Sequence, residues 1–369
     1  MTADRRAVAP AAAAPMPGRQ ASGSPMPGRP TSTPEAAVIG TDMSAQVRAL
    51  AAEYPEIAAC LDPARVAAQR HRDTELPAEQ DDFGAAGSGG RGESYVVAQR
   101  SVLTRARGIG RLLDLVAADR RAPSRLVLDL LGGDGLVSRV AVLTGRTDTV
   151  VATCDASPFM VDQAWARGIP AVRQRAESLL FRDASVGGVL LAYGSHHVPV
   201  AQRGTVAQEA FRVLQPGGVF VLHDFLTDSP VDVWFRKVVD VYAATGHDHP
   251  HFTRDEAAGY LRSAGFEEVG TRLMDDSFTV TGATKEAAQE ELGRYMADMY
   301  GLTKLYAELG PGDTHRRTFE LVCDIFRYED ADGGHREVET SLAADGGGWA
   351  VTMPREALVA CGRKPGAPA

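Results

Sequence analysis

LVLDLLGGDG, residues Leu126–Gly135, decides the fold. An apolar run carrying Asp129 near its end passes into a glycine-rich turn, and a helical pattern begins near Leu136. Glycines permit torsions and close approaches that a Cβ would block. In a parallel sheet such a turn lies at the carboxyl end of its strand, where ligands bind. Downstream, the short apolar runs Thr149–Asp155, Val186–Tyr193 and Gly218–Phe225 alternate with helical stretches. That alternation predicts an α/β fold whose mostly parallel sheet is covered by helices on both faces. A helix over Thr253–Ala264 is signalled at both ends. Thr253 and Glu256 make a capping box and Gly265 supplies the stop. Phe266–Met274 reads as the next strand, and Trp349–Arg363 as a final strand or hairpin returning to the sheet.

The flanks differ from this core. Residues 1–43 are rich in Ala, Pro and Gly, repeat PMPGR at Pro15–Arg19 and Pro25–Arg29, and show no hydrophobic period. A segment so poor in apolar surface cannot offset its chain entropy, so a disordered tail is expected. Residues 44–120 carry two helical patterns separated by the polar stretch Pro77–Gly92 and read as an N-terminal helical cap. The core is placed at 121–282. Residues 283–369 hold a helical insertion, dense in Leu292, Tyr295, Met296, Met299 and Tyr300, and then the C-terminal strands that complete the core.

The 369 residues carry a net charge of −9, with 44% hydrophobic and 24% charged residues. An acidic balance argues against broad nucleic-acid binding, which needs a basic surface. No run approaches the roughly 18 apolar residues of a membrane span. A small-molecule substrate is expected, with neither nucleic acid nor membrane as partner; a homo-oligomer is compatible with the chain. Cys60, Cys154, Cys323 and Cys361 are far apart and form no CxxC pair. They read as free thiols in a reducing compartment, with the cytoplasm as the default address.

Asp155 ends the second strand 20 residues after Gly135. A carboxylate there can accept hydrogen bonds from both hydroxyls of a ribose, which fits a nucleotide-like ligand. Dinucleotide enzymes use a similar turn, but Ser138 stands where their third glycine would lie. An NAD(P)-dependent oxidoreductase is therefore the rival class.

The series VLDLLGGDG, CDASPFMVDQA, RAESL, HHV and EAFRVLQPGG, in that order over about residues 120–275, resembles the class I S-adenosylmethionine-dependent methyltransferases. The resemblance implies a Rossmann-like seven-stranded sheet with its last strand antiparallel, and S-adenosyl-L-methionine as methyl donor. It implies that Asp129 and the backbone of Leu131, Gly132 and Gly133 face the methionine part. Asp155 would hold the ribose, Met160 and the Ala176-Glu177 region would flank the adenine, and Ala156 and Tyr193 would also belong to the cofactor site. Three positions depart from the family pattern: Leu131 replaces a glycine, Arg175 replaces an acidic residue, and Gly187 replaces an aspartate.

The acceptor is read from the histidines. Tyr193-Gly-Ser-His-His197 follows the fourth strand and His223-Asp224 ends the fifth. Tyr193, His196, His197 and His223 are the catalytic candidates, because histidine can take a proton near neutral pH. His247, His249 and His251 form a third group in a loop, and no metal ligands are assigned. AYGSHHV, HDF and TGHDHPHF are similar to bacterial natural-product C-methyltransferases, among them those acting on short prenyl diphosphates such as isopentenyl diphosphate. That resemblance implies a diphosphate gripped by Arg100, Arg105, Arg316 and Arg317, with Mg²⁺ as an optional companion. The alternatives are a 2-oxo acid C-methyltransferase, whose histidines would hold a metal against an enolate, and a small-metabolite O- or N-methyltransferase.

Overall fold

The computed structural model describes residues 42–75, 81–88, 90–118, 121–146, 148–244, 249–330, 332–344 and 346–366. The expected tail, apart from its last two positions, and His247 lie outside the described residues.

The chain opens with α1 (Met43–Glu53), α2 (Pro55–Ala58), α3 (Pro63–Glu75), α4 (Gly92–Ala98) and α5 (Ala106–Ala118). Strands and helices then alternate: β1 (Leu126–Leu130), α6 (Leu136–Leu143), β2 (Val150–Asp155), α7 (Pro158–Ala166), β3 (Ala171–Arg173), β4 (Val186–Ala192), α8 (Val200–Val213) and β5 (Leu214–Asp224). After α9 (Pro230–Trp234), α10 (Asp240–Tyr242) and α11 (Arg254–Ala264) come β6 (Glu267–Asp275) and β7 (Phe278–Gly282). The helices α12 (Lys285–Tyr300), α13 (Thr303–Leu309) and α14 (Pro311–Ile325) follow. The short strands β8 (Tyr328–Glu329), β9 (His335–Arg336) and β10 (Glu339–Leu342) lead to β11 (Trp349–Met353) and β12 (Glu356–Arg363).

The main sheet has seven strands in the order β3-β2-β1-β4-β5-β12-β6. Neighbours from β3 to β5 pair in parallel, and β12 runs antiparallel to both β5 and β6. β1 and β4 are buried at every position, as strands covered on both faces must be. This is the Rossmann-like arrangement expected, and the predicted strands lie within a few residues of those observed. The capped helix forms as α11, with the reciprocal Thr253–Glu256 bonds in place and Gly265 at φ 98°.

Two expectations change. The early helices belong to the core: Ile109, Leu112, Leu113 and Val116 of α5 pack with Val127, Leu190 and Val221 on one sheet face. Leu50 and Ile57 pack with Leu128 and Leu191 on the other. An amphipathic helix buries its stripe wherever an apolar face is open, irrespective of chain order. The second concerns Trp349–Arg363, where the returning final strand is present as β12 but the hairpin alternative is not. β11 joins a separate antiparallel sheet, β10-β11-β7, while β12 enters the main sheet. β6 and β7 divide in the same way, so two chain segments cross side by side between the sheets. At that crossing the Asp276 N–H donates to the Arg355 carbonyl at 2.8 Å.

Candidate active site

The donor side is built by the turn after β1. Leu131, Gly133 and Gly135 all have positive φ, at 55°, 57° and 83°. For Leu131 this left-handed conformation costs about 1–2 kcal/mol, so the turn is held against the residue's own preference. A Cβ on Gly132 would lie 2.5 Å from Asp129 Oδ2, which forbids any side chain there. Asp129 is 1% exposed, and its Oδ2 has no hydrogen-bond partner among the described residues. Burial, and then repulsion from Asp155, pushes its carboxyl up to about 8. Asp155 accepts from Gly133 N–H at 2.8 Å and from Ser157 N–H at 2.9 Å, tying β2 to the turn. Burial pushes Asp155 up to about 6, although those N–H groups favour its charge.

An orphaned carboxylate oxygen beside a backbone stripped of side chains fits the ammonium group and close approach of S-adenosylmethionine. Met160 is fully buried, with its sulfur beside Gly133, and Ala176 is buried. Ala156 is exposed, and its carbonyl accepts from Arg173 Nε at 3.3 Å. Glu177 is engaged by Arg175 Nε at 2.6 Å, so Arg175 competes with any base for it.

A roof covers this side. Ser157 Oγ donates to Asp81 Oδ2 at 2.7 Å, and Phe83 and Tyr95 meet edge to face at 5.4 Å. The Tyr95 ring lies over Gly133. Asp81, Phe83 and Tyr95 therefore lie over the turn after β1.

Beyond β4 and β5 lies a buried polar cluster. Tyr193, at φ 63°, donates its hydroxyl to Asp276 Oδ1 at 2.8 Å. Tyr193 N–H donates to His223 Nδ1 at 3.3 Å, so the neutral ring carries its proton on Nε2. That Nε2 lies 3.3 Å from Asp276 Oδ2, without the alignment of a hydrogen bond. Arg355 ion-pairs with Asp276. Burial opposes the charge on Asp276, but Arg355, His223 and Arg105 together bring it down to about 2. Arg105 stacks on Tyr193 with its guanidinium carbon 3.8 Å from the ring centroid.

Two more histidines are oriented by carboxylates. His196 Nδ1 lies 2.8 Å from Asp224 Oδ1, and His251 Nδ1 lies 2.7 Å from Asp232 Oδ1. Burial works against the Asp224 charge. His196 and the bonds from Ser195 and Phe225 more than offset this, and hold Asp224 well below the usual carboxylate range. The rings of His196, His223 and His251 surround Phe225 at 5.9, 6.2 and 5.8 Å.

Comparison with known proteins gives this geometry a family. Residues 128–222 match the family described as "Methyltransferase domain". The chain is 30% identical over 191 residues to the ubiquinone/menaquinone biosynthesis C-methyltransferase UbiE of Methylobacterium nodulans, covering 44% of this chain and 73% of that protein. The chain belongs to the class I S-adenosylmethionine-dependent methyltransferases. This methyltransferase is also 32% identical over 174 residues to UbiE of Nitrobacter hamburgensis, covering 40% of the chain and 68% of the relative. Among solved structures it is similar to Haemonchus contortus phosphoethanolamine N-methyltransferase 2 in complex with S-adenosyl-L-methionine. That match has TM-score 0.46 and 14% identity, over 74% of this chain and 56% of that one.

The methyltransferase brings Tyr193, His196, His197 and His223 together at the carboxyl ends of β4 and β5, but only one of the four substrate arginines joins them. Arg105 is 4% exposed within the cluster. Arg100 is largely exposed and pairs with Glu291 at 3.6 Å. Arg316 and Arg317 pair at 3.0 Å with Asp313 and Glu320 on their own helix, α14. That helix buries Thr314, Thr318 and Val322 instead, which turns both arginines to solvent. Sequence reasoning missed Arg355, Asp276 and Asp232. No sequence signal marks them; in the structure, the five-residue π-helical turn Phe235–Val239 lies beside His251, a kind of irregularity that gathers at functional sites. Among the described residues no helix is long and apolar enough to cross a membrane.

Proposed function

We propose that this methyltransferase methylates a carbon atom of a small acid, of the 2-oxo acid class. The observation that carries this reading is Arg105. It is almost fully buried, its Nε has no hydrogen-bond partner among the described residues, and the equally buried Tyr295 hydroxyl has none either. Arg105 and Arg355, both buried, face Asp276 in an aromatic-walled cluster. A buried cation without a full counter-charge is costly, and a carboxylate supplies both the charge and the paired acceptors that a guanidinium fork prefers.

Bound donor supplies an electrophilic methyl group, held by Asp129, Asp155 and the Leu131–Gly133 backbone. The chain's task is then to align the acceptor and manage one proton. Arg105, steadied by Tyr193, fixes the acid head. Asp224 orients the His196 ring through Nδ1, and His196 is the group that takes the proton from the carbon next to the keto group. The ionised Asp224 stabilises the imidazolium so formed, as a buried aspartate does in hydrolase triads. His223, held between Tyr193 N–H and Asp276, has a positioning role. The UbiE relatives, C-methyltransferases by name, support transfer to carbon.

A prenyl diphosphate acceptor is the second reading. It is favoured by the aromatic wall of Phe225, Phe235 and Phe278, whose faces would shelter a carbocation. Its diphosphate, with any accompanying Mg²⁺, would have to be held without Arg100, Arg316 and Arg317. Release of S-adenosylhomocysteine should be measured over a panel of 2-oxo acids, prenyl diphosphates and quinols. Turnover with the 2-oxo acids is the expected result, and turnover confined to prenyl diphosphates would replace the first reading with the second.

A further inference from the structure

Asp82, His197 and His249 come from three distant stretches of chain: the roof, the turn after β4, and the loop before α11. One carboxylate oxygen and two imidazole nitrogens from these residues lie within 4.8 Å of one another. The two imidazole rings are 4.6 Å apart at 62°, and Phe83, next to Asp82, packs edge-on to His197 at 5.5 Å. Convergence of this donor set from separate elements is not explained by local chain geometry.

Two imidazoles and one carboxylate on a single face make a donor set suited to Zn²⁺, Fe²⁺, Co²⁺ or Ni²⁺, whereas Mg²⁺ and Ca²⁺ prefer oxygen ligands throughout. Three protein ligands leave coordination positions open for a substrate. The neighbours give the location meaning. His197 follows His196 in the chain, and the His196 and His249 rings are 6.5 Å apart. Asp82 follows Asp81, which is bonded to Ser157 on the donor side.

We propose that Asp82, His197 and His249 form a binding site for a divalent transition-metal ion that holds the oxygen atoms of the acceptor. A 2-oxo acid presents a carboxylate oxygen and a keto oxygen at chelating distance, and a cation on the keto oxygen stabilises the charge left when the neighbouring C–H bond breaks. This role rests on the acceptor class proposed above; the metal site itself does not. Because Asp82 lies between Asp81 and Phe83, which cover the donor side, a cation on it also steadies that cover, so metal and donor are expected to bind with positive coupling.

The test is titration of chelator-treated full-length protein with Co²⁺, followed by visible absorption and by melting temperature. One Co²⁺ per chain is expected, with affinity falling about 10- to 100-fold or more in Asp82→Asn, His197→Ala and His249→Ala, the range seen when metal-site partners are removed. Asp82 is exposed, and stabilisation of Asp82→Asn by S-adenosylhomocysteine reports that this variant is folded. Absence of stoichiometric Co²⁺ binding, or binding indifferent to all three substitutions, overturns the site. Methylation of a 2-oxo acid by protein that binds no Co²⁺ removes the site and keeps the acceptor reading. Stoichiometric Co²⁺ binding by protein that methylates no 2-oxo acid keeps the site and removes its assigned role.

Discussion

Asp129→Asn should make the donor-free protein more stable and the donor-bound protein less so. In the unfolded chain the carboxyl titrates at its ordinary value of 3.8, whereas burial and Asp155 push it up to about 8 in the fold. Below 3.8 both states hold the proton and Asp129 contributes nothing to the pH dependence. Between 3.8 and about 8 the unfolded state gives up its proton while the folded state keeps it, so stability falls as pH rises. At about 1.36 kcal/mol per pH unit, the three units up to pH 7 amount to about 4 kcal/mol. Asparagine keeps the shape and removes the titration. The variant's advantage should therefore be near zero at pH 4, grow through neutrality and level off above pH 8. Urea unfolding of both proteins from pH 5 to 8 measures it directly. S-adenosylhomocysteine supplies the missing ammonium only to the wild type, and its affinity should drop in the variant by about 1.5–3 kcal/mol, the worth of a charged hydrogen bond. Parallel pH profiles for the two proteins would refute the reasoning.

Other substitutions separate the remaining roles. Arg105→Gln should raise KM for the acid acceptor by about 2–3 kcal/mol, some thirty-fold or more, while affinity for S-adenosylhomocysteine stays unchanged; an unaltered KM would remove Arg105 from acceptor binding. Asp224→Asn should lower kcat by about 10²- to 10⁴-fold by presenting the wrong His196 tautomer, with donor binding retained, and a near-normal kcat would exclude His196 as the proton acceptor. The double variant Arg316→Ala, Arg317→Ala should change stability by no more than about 0.5 kcal/mol and leave KM untouched, whereas a raised KM would return α14 to the acceptor site.

How much of this was legible in the sequence differs by kind of residue. The turn that joins Asp129 to Asp155 could be read because strand, glycine turn and second carboxylate lie within thirty residues and obey local rules. The sheet could be read for the same reason, since β1 and β4 are short runs that are apolar at almost every position. Arg355 and Asp276 could not. Nothing in Met353-Pro-Arg-Glu356 or Met274-Asp-Asp-Ser277 marks them, and they meet only because two segments cross between sheets at one place. Trp349–Arg363 was legible in part: β12 returns to the main sheet as a final strand, but β11 pairs with β10 and β7 while β12 pairs with β5 and β6, and local sequence does not show which partner each strand takes. Arg316 and Arg317 were chosen by charge alone, and charge does not say which face of a helix is buried. His197 and His249 stood out in the sequence as members of two histidine groups, whereas Asp82 did not, and only the fold brings the three together.

Carbon-13 NMR of the product formed from methyl-labelled S-adenosylmethionine and a 2-oxo acid tests the central claim most directly. A labelled methyl bonded to the carbon beside the keto group, with one S-adenosylhomocysteine released per product, is what the site should yield. Label found only on oxygen, or no labelled 2-oxo acid at all from protein that binds S-adenosylhomocysteine normally, would contradict it.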